Sequence, residues 1–328
     1  MKTYLSGIQP SGLLHLGNYF GAIRQHIALQ ERPGRHFYFI ADFHALTTVR
    51  DPDALRRNVF ETAVTYLALG LDPQKAVLWR QSDVPEVTEL AWLLSTVTGM
   101  GLLERAHSYK DKTARGISAS VGLFTYPMLM AADILAYDAD FVPVGQDQVQ
   151  HVEMTQDMAG SFNAAYGTEA LRRPECLLPE AGAAKKVPGL DGQKMSKSYG
   201  NDIWIFASGK ALKKRVNQIV TDSRPPEEAK DPDGLFLFDL LALFLEPAEL
   251  KDLRDQVRRG GPAAPGYGHL KGRLAEAIET HFAAARARRD DLLAHPEGVQ
   301  EVLAAGAARA RAQARIVRDR AFQACGLR

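Results

Sequence analysis

The sequence predicts an α/β protein in which a parallel sheet with crossover helices is followed by a smaller all-helical domain. Short apolar runs alternate with longer helical patterns through the first half of the chain, as is typical of parallel strands joined by helices. Beyond residue 202 the apolar spacing becomes helical throughout. A chain of 328 residues is also long enough to bury one large core and one smaller one.

The predicted strands are four short apolar runs: Lys2–Ser6, His36–Ala41, Ala76–Arg80 and Phe141–Val144. A polar or glycine-rich turn follows each of them, with the sequences GIQPSG, DFHALT, QSDVPE and GQDQ. In an open parallel sheet the ligand binds outside the carboxyl ends of the strands. We therefore expect these four turns to gather around one crevice.

Helical spacing is predicted for two segments between the strands and for four segments in the second half. They are Val87–Leu103, Pro127–Ala136, Ala211–Val220, Leu235–Phe244, Ala275–Arg289 and Val299–Gln323. The polar stretches at 105–120 and 179–193 are predicted to be exposed loops.

The last helical segment is rich in alanine and arginine and carries Arg311, Arg315 and Arg318 on one face. A solvated face is the favoured interpretation of such a charge run, and contact with RNA phosphates is the alternative.

The composition excludes several classes of protein. Forty basic and 39 acidic residues give a net charge of +1, so any nucleic-acid surface must be local. Only Cys176 and Cys325 are present, without metal-ligand spacing, which argues against a disulfide framework and against a zinc or iron–sulfur site. Glycine and proline interrupt the N-terminus, and no long apolar run occurs, so we expect a soluble, cytoplasmic protein without membrane or DNA partners.

The first turn, in GIQPSGLLHLGNYFGAIRQH (7–26), has the pattern of a phosphate-binding strand–turn–helix unit. The helix is predicted to open near Leu13, with Gly17 and Gly21 on one side and His15 and Asn18 near its first turns. Taken alone the signal is weak, and a surface or helix-capping role is the alternative for His15. Neither GxGxxG nor a P-loop motif is present, which argues against a dinucleotide fold and against a P-loop ATPase.

A second unusual stretch, GQKMSKSYGN (192–201), places two lysines and two serines between glycines. Only Met195 and Tyr199 offer apolar surface there, so the segment is predicted to be a flexible loop. Its charge suits closure on a negatively charged ligand.

The motifs HLGN (15–18) and KMSKS (194–198) together resemble the HIGH and KMSKS signatures of class I aminoacyl-tRNA synthetases. Asn18 replaces the last histidine of the first signature, a familiar variant in the tryptophan branch. SGIQPSG (6–12), GNYFGA (17–22), TYPMLMAADILAYDADFVPVGQDQVQHVE (125–153) and VTDS (220–223) also resemble that branch in order and spacing.

The resemblance implies a Rossmann-like catalytic domain at 1–188 that binds ATP and the amino acid, and a mobile KMSKS loop at 189–202. A helical domain at 203–328 would bind the tRNA anticodon, with its last helix packed back on the catalytic domain. Lys213, Lys214, Arg215 and the arginine face at 311–318 are candidate phosphate contacts.

The activity that the resemblance implies is that of a tryptophan–tRNA ligase, which forms AMP and pyrophosphate. It would activate L-tryptophan with ATP and transfer it to the 3′ end of tRNA(Trp). Mg²⁺ would arrive with ATP, with no protein-bound metal cluster, and the active species would be a homodimer.

The resemblance also implies the ATP site. Lys194 and Lys197 would hold the β- and γ-phosphates, because charge develops on the leaving pyrophosphate. With Gln9 and His15 they form the predicted catalytic set. The full set of predicted ATP contacts is Gln9, Pro10, Ser11, His15, Gly17, Asn18, Gly145, Gln146, Asp147, Val187, Lys194, Met195, Ser196, Lys197 and Ser198.

The amino-acid site is predicted around Asp133, an acidic residue in an otherwise apolar helix. Such a group either meets a structural donor or faces a ligand. In the family that this sequence resembles, the aspartate at this position accepts the indole N–H, which is a donor only. The implied tryptophan contacts are Asp133, Tyr126, Met130, Val142, Val144, Gln148, Gly7 and His44.

Three alternatives remain open from sequence. A tyrosine enzyme of the same fold is the nearest, since a carboxylate also accepts from a phenol. An adenylate-forming relative without tRNA and a non-catalytic RNA-binding paralogue are the others. Two departures from the family pattern are Leu5, where an aromatic residue is common, and KVPGLDGQ (186–193), ahead of the lysines.

Overall fold

The computed structural model describes residues 1–106, 120–145, 148–178 and 187–327, which contacts group into two compact units. The first unit contains the described residues of Met1–Gly12, Arg24–Ala184 and Leu292–Arg328. The second contains those of Leu13–Ile23 and Lys185–Asp291. The short HLGN segment therefore belongs to the same unit as KMSKS. The domain boundaries drawn from sequence stay a prediction.

A five-stranded sheet, parallel throughout, forms the centre of the first unit. Its strands run in the order β3-β2-β1-β4-β5. They are β1 (Thr3–Ile8), β2 (Arg35–Ile40), β3 (Ala76–Arg80), β4 (Phe141–Pro143) and β5 (Glu175–Leu177). The predicted α/β parallel fold is confirmed. β5 was not predicted, because its three residues are too few to show a periodic pattern.

The described helices, in chain order, are α1 (Leu16–Asn18), α2 (Arg24–Leu29), α3 (Asp42–Ala45), α4 (Pro52–Ala68), α5 (Glu86–Val97), α6 (Met100–Glu104), α7 (Val121–Leu135), α8 (Val149–Tyr166), α9 (Gly209–Asn217), α10 (Phe236–Leu241), α11 (Pro247–Arg259), α12 (Tyr267–His281), α13 (Ala283–Ala294) and α14 (Pro296–Ala324). A π-helical turn, Tyr19–Ile23, lies between α1 and α2. Within the described ranges, every helix is too short or too polar to span a membrane.

Several helix boundaries differ from the predicted ones. The predicted helix at 87–103 is two helices, because Thr98 and Gly99 adopt extended backbone between α5 and α6. α7 begins well before Pro127, since the Ser120 hydroxyl caps it by accepting from Leu123 N at 3.2 Å. The first helix opens at Leu16, not Leu13, because His15 is its N-cap. The predicted loops at 105–120 and 179–193 lie mostly outside the described residues.

The C-terminal helix α14 packs directly on the sheet of the first unit. A Cβ atom at Gly306 would lie 1.9 Å from the Leu78 carbonyl oxygen of β3, so only glycine permits this approach. Arg311 and Arg315 both donate to Glu86 of α5 at distances between 2.8 and 3.2 Å. Arg318 forms an ion pair with Glu89 of the same helix. The interpretation as a solvated face holds for Arg315, which is exposed, but all three arginines also pair with acidic residues of α5.

The second unit is helical, and a short backbone pairing joins the HLGN segment to the rest of it. Leu16 N donates to Ile203 O at 2.9 Å, and Ile205 N donates to Leu14 O at 3.1 Å. Tyr19 and Phe20 add ring contacts with Phe244, His281 and Phe282. These contacts tie residues near the N-terminus to the helical unit.

Candidate active site

The carboxyl ends of the strands bring three of the four predicted turns together in the first unit. The sheet order reverses at β1, and such a switch point is where open α/β sheets bind ligands. Gln9, after β1, donates from Nε2 to His44 O at 3.3 Å, after β2. Phe43 N donates to Gln81 Oε1 at 3.0 Å, after β3. The fourth turn contains Gln146 and Asp147, which lie outside the described residues.

Asp133 lies at the centre of this region and is only 2% exposed. His44 Nε2 lies 2.9 Å from its Oδ2 atom, and Gln81 Nε2 lies 2.9 and 2.7 Å from its two oxygens. Burial raises the pKa of the Asp133 carboxyl, and the hydrogen bonds from His44 and Gln81 oppose that rise. Asp133 therefore meets structural donors, which are His44 and Gln81. Its role in binding a ligand stays a prediction.

A second buried carboxyl, Asp42, opens α3 directly after β2 and was not predicted. Its oxygens accept from Phe43 N at 3.0 Å, from Ser82 N at 2.9 Å and from the Ser82 hydroxyl at 2.5 Å. Burial raises the pKa of Asp42. Gln81 and Ser82 lie in the QSD turn that was predicted to follow a strand. No motif marked them as site residues.

Tyr126 and His44 line a cavity of about 340 Å³ that is bounded by residues of α3 and α7. The Tyr126 hydroxyl lies 2.7 Å from Nε2 of His151, a buried residue of α8. His151 was not predicted, because an aromatic–histidine contact between helices leaves no local sequence pattern.

The remaining predicted tryptophan contacts surround the same strand ends. A Cβ atom at Gly7 would lie 2.4 Å from the Phe39 ring, so the β1 position requires glycine. Val142 is buried in β4, and Met130 and Val144 pack against the same core. Gln148 precedes α8 and donates its backbone N–H to Gly145 O at 3.0 Å.

Among the predicted ATP contacts of the first unit, Pro10 is buried and Ser11 is exposed in the turn after β1. Ser11 N donates to Gln9 O at 2.9 Å, which closes that turn. Gln9 itself is exposed. These three residues and Gly145 belong to the first unit, whereas the remaining described ATP contacts belong to the second.

In the second unit, the HLGN and KMSKS motifs are in contact. His15 is buried, and its backbone N–H donates to Asn18 Oδ1 at 3.0 Å. A Cβ atom at Gly17 would lie 2.9 Å from His15 Nδ1 and 3.4 Å from Met195 Cβ. His15 thus has the helix-capping position weighed from sequence, and it also lies beside the loop. Gly17 is the residue that makes this close approach possible.

The electrostatics of this site favour a neutral histidine beside two lysines. Burial lowers the pKa of His15 to about 4, with further lowering by Lys197 and Lys194 and an opposing effect of Asp202. Burial also lowers the pKa of Lys197, and Asp202 opposes that shift. At neutral pH the motif pair therefore presents a neutral imidazole and positive charge, which suits a polyanion.

The loop has an internal scaffold centred on Asn201, which is 3% exposed. Its Oδ1 accepts from Ser196 N at 2.8 Å, and its Nδ2 donates to Asp191 Oδ1 at 2.7 Å and to Lys194 O at 3.3 Å. A Cβ atom at Gly189 would lie 2.3 Å from the Asn201 side chain. The sequence predicted that few groups of this stretch could pack. That prediction is wrong for the residues that contact Asn201.

Further contacts complete the loop. Met195 is buried, and its N–H donates to Val187 O at 3.0 Å. Ser198 N donates to Ser196 Oγ at 3.3 Å. Arg215 of α9 donates to Gly200 O at 2.6 Å and to Asp202 O at 2.7 Å. The guanidinium that was predicted to contact tRNA is thus hydrogen-bonded to the loop.

The family model of the tRNA synthetases class I (W and Y) matches residues 1–283. The chain belongs to this synthetase family. The synthetase is 56% identical over 324 residues to the tryptophan–tRNA ligase of Rhodopirellula baltica, with 99% of each chain covered.

It is also similar to two solved tryptophanyl-tRNA synthetases. The Campylobacter jejuni structure, a complex with ADP and tryptophan, has a TM-score of 0.90 at 48% identity and covers 99% and 100% of the two chains. The Mycoplasma pneumoniae structure has a TM-score of 0.83 at 34% identity, with 100% and 98% covered.

In the part of the synthetase that the structure describes, no cluster of three or more histidine, cysteine, aspartate or glutamate residues could hold a metal ion. Cys176 and Cys325 are free thiols. The described sites can therefore bind a substrate through hydrogen-bond donors, hydrogen-bond acceptors and positively charged lysines.

Proposed function

We propose that this synthetase activates L-tryptophan with ATP and transfers the tryptophanyl group to the 3′ end of tRNA(Trp). The observation that carries the proposal is the 56% identity to a tryptophan–tRNA ligase across 99% of both chains. The contact between HLGN and KMSKS supports it, because Gly17 packs against both His15 and Met195. The tyrosine alternative and the non-catalytic paralogue have no comparable support.

In the first step the tryptophan carboxylate attacks the α-phosphorus of ATP, and the bond from that phosphorus to the pyrophosphate oxygen breaks. No proton has to move, so the protein must chiefly stabilise negative charge. Lys194 and Lys197 neutralise the leaving pyrophosphate. His15, neutral because its pKa is lowered to about 4, can donate a hydrogen bond to phosphate. Mg²⁺ enters as part of the MgATP substrate.

The residues of the first unit bind the ribose end of ATP and the amino acid. Gln9 and Gly145 belong to the turns at the switch point of the sheet. Asp133 accepts the indole N–H, Tyr126 helps to form the pocket around the ring, and Gln148 helps to hold the α-amino group. A buried carboxylate of this kind discriminates against phenylalanine, because the apolar ring brings no donor to replace the indole N–H.

In the second step the 3′ hydroxyl of tRNA attacks the acyl carbon and AMP leaves. We infer that α9 contributes to tRNA binding through Lys213 and Lys214, which are exposed. Arg215, the third candidate of this helix, also donates hydrogen bonds to Gly200 and Asp202.

We further infer a homodimer that works in the cytoplasm, where tRNA is charged. Trp92 of α5 is 71% exposed and Met100 of α6 is 62% exposed. Large apolar side chains of this kind are costly in water, and a second copy of the chain would cover them.

The test is pyrophosphate exchange into ATP with each of the 20 amino acids, without tRNA. Exchange with tryptophan alone supports the proposal, exchange with tyrosine moves the specificity, and no exchange refutes the synthetase activity. Lys197→Ala is expected to lower kcat about 100-fold or more, whereas Lys210→Ala, an exposed lysine of α9, leaves it unchanged. Asp133→Ala is expected to raise KM for tryptophan about tenfold or more.

A further inference from the structure

Gln81 connects the proposed indole acceptor to the backbone of the neighbouring turn. It is 1% exposed, and its Nε2 lies 2.9 and 2.7 Å from the two Asp133 oxygens. Its Oε1 accepts from Phe43 N at 3.0 Å. One amide group thus joins the end of β3 to α7 and to α3.

The orientation of this amide is fixed by its partners. The Phe43 N–H can only donate, and an ionised Asp133 can only accept. Rotating the amide by half a turn would place oxygen against carboxylate and N–H against N–H. Among neutral side chains of this length, glutamine alone presents a donor and an acceptor at these two points.

The surroundings of Asp133 make its donors important. His44 and Asp42 face it from α3, and Tyr137 faces it from the end of its own helix. Burial raises the pKa of Asp133, whereas donors that prefer its ionised form lower it. Removing the Gln81 donor therefore favours the protonated carboxyl, which is a weaker acceptor for an indole N–H.

We propose that Gln81 is a positioning residue for amino-acid specificity, which holds the Asp133 carboxyl group oriented toward the indole N–H. This inference rests on the proposed function. Gln81 does not touch the substrate in this proposal and acts only through Asp133.

The test compares Gln81→Met with Gln81→Glu in tryptophan-dependent pyrophosphate exchange. Gln81→Met has similar length and no hydrogen-bonding group, so KM for tryptophan should rise about tenfold or more, with KM for ATP and kcat changed less than about twofold. The defect should deepen as pH is lowered, because loss of the Gln81 donor favours the protonated form of Asp133.

Gln81→Glu should show the opposite pH trend. The introduced carboxyl lies beside Asp133, so the pair repels at high pH and retains one proton at lower pH. When it is protonated, the introduced carboxyl donates to Asp133 in place of the lost amide, and KM for tryptophan should improve as pH falls. His44 and Asp42 are unchanged in both variants, so a difference in pH trend comes from position 81.

The matched control is Gln30→Met, another buried glutamine, which bridges only the backbone groups Gly70 O and Asp72 N. It reports the cost of losing a buried amide away from Asp133, and KM for tryptophan should not change. A second readout uses the tryptophan analogue in which sulfur replaces the indole N–H. Wild type should prefer tryptophan over this analogue by about tenfold or more, and Gln81→Met should lose most of that preference.

The outcomes separate the two proposals. Wild type without tryptophan-dependent exchange refutes the proposed function. Wild type with exchange, and a Gln81→Met variant that keeps its KM for tryptophan and its preference over the sulfur analogue, refutes the role of Gln81. If Gln81→Met does not fold, Gln81→Glu decides through its pH trend alone, and a KM that worsens as pH falls overturns the inference.

Discussion

Gly17 allows the HLGN and KMSKS motifs to pack closely, because His15 and Met195 occupy the space that a side chain would fill. His15 is buried against the loop, and the nearby lysines reinforce the lowering of its pKa to about 4. At this scale, the contact between the two signature motifs depends on the absence of one methyl group.

Gly17→Ala is expected to impair activity more than stability. The added Cβ would lie 2.9 Å from His15 Nδ1, so the imidazole must shift. We expect kcat/KM for ATP to fall about tenfold or more, with a loss of about 1 kcal/mol in the free energy of unfolding. Pyrophosphate exchange and urea unfolding measure the two effects.

Gly21→Ala is the control, because a Cβ atom there meets nothing within 4 Å. Alanine in a helical turn should leave activity unchanged and add up to about 1 kcal/mol of stability. Equal losses of activity in both variants would contradict the proposed contact.

The KMSKS loop is the element whose structure departs most from its sequence pattern. Two lysines and two serines between glycines predict a loop without order of its own. Instead, the Asn201 amide connects Asp191, Lys194 and Ser196, and Arg215 holds the backbone on either side of it. Lys194 and Lys197 therefore belong to a hydrogen-bonded scaffold, and its closure on ATP stays a prediction.

Asn201→Ala should loosen this arrangement. The substitution leaves the Ser196 N–H and the Asp191 carboxylate without their amide partner. We expect KM for ATP to rise about tenfold and the free energy of unfolding to fall by about 1–3 kcal/mol. KM for tryptophan should stay constant, since Asp133 belongs to the other unit.

The control for this variant is Asn217→Ala, an exposed asparagine at the end of α9. It should change neither KM. If Asn201→Ala binds ATP as wild type does, the scaffold does not position the lysines that are proposed to bind phosphate.

At the scale of the whole molecule, the first unit is assembled from both ends of the chain. The C-terminal helix α14 contacts β3 through Gly306 and α5 through three arginines. Burial would raise the pKa of Glu86, but hydrogen bonds from Arg311 and Arg315 lower it overall. The stability that Glu86 contributes is therefore present above its unfolded-state pKa and lost as pH falls through its lower, folded-state pKa.

Gly306→Ala tests this packing. The new Cβ would lie 1.9 Å from the Leu78 carbonyl oxygen, and backbone cannot yield as a flexible side chain does. We expect a loss of about 3 kcal/mol or more in the free energy of unfolding, although alanine is the better helix former by about 1 kcal/mol. Thermal and urea unfolding measure it.

Gly298→Ala, in the same helix, meets nothing within 4 Å and should be neutral or slightly stabilising. A Gly306→Ala variant as stable as Gly298→Ala would show that α14 is not seated on β3 in solution.

Local patterns in the sequence were enough to predict the fold class, four of the five strands and the family, because strand and helix periods and the HLGN and KMSKS motifs each span only a few residues. Which groups meet was decided by the tertiary structure. Gln81 reaches Asp133 across 52 positions, and Arg311 reaches Glu86 across 225. Such pairings depend on how the elements pack. The residue type alone does not show whether a side chain is solvated or buried against a partner. For that reason Gln81, Asn201 and the partners of the C-terminal arginines could be found only in the folded protein.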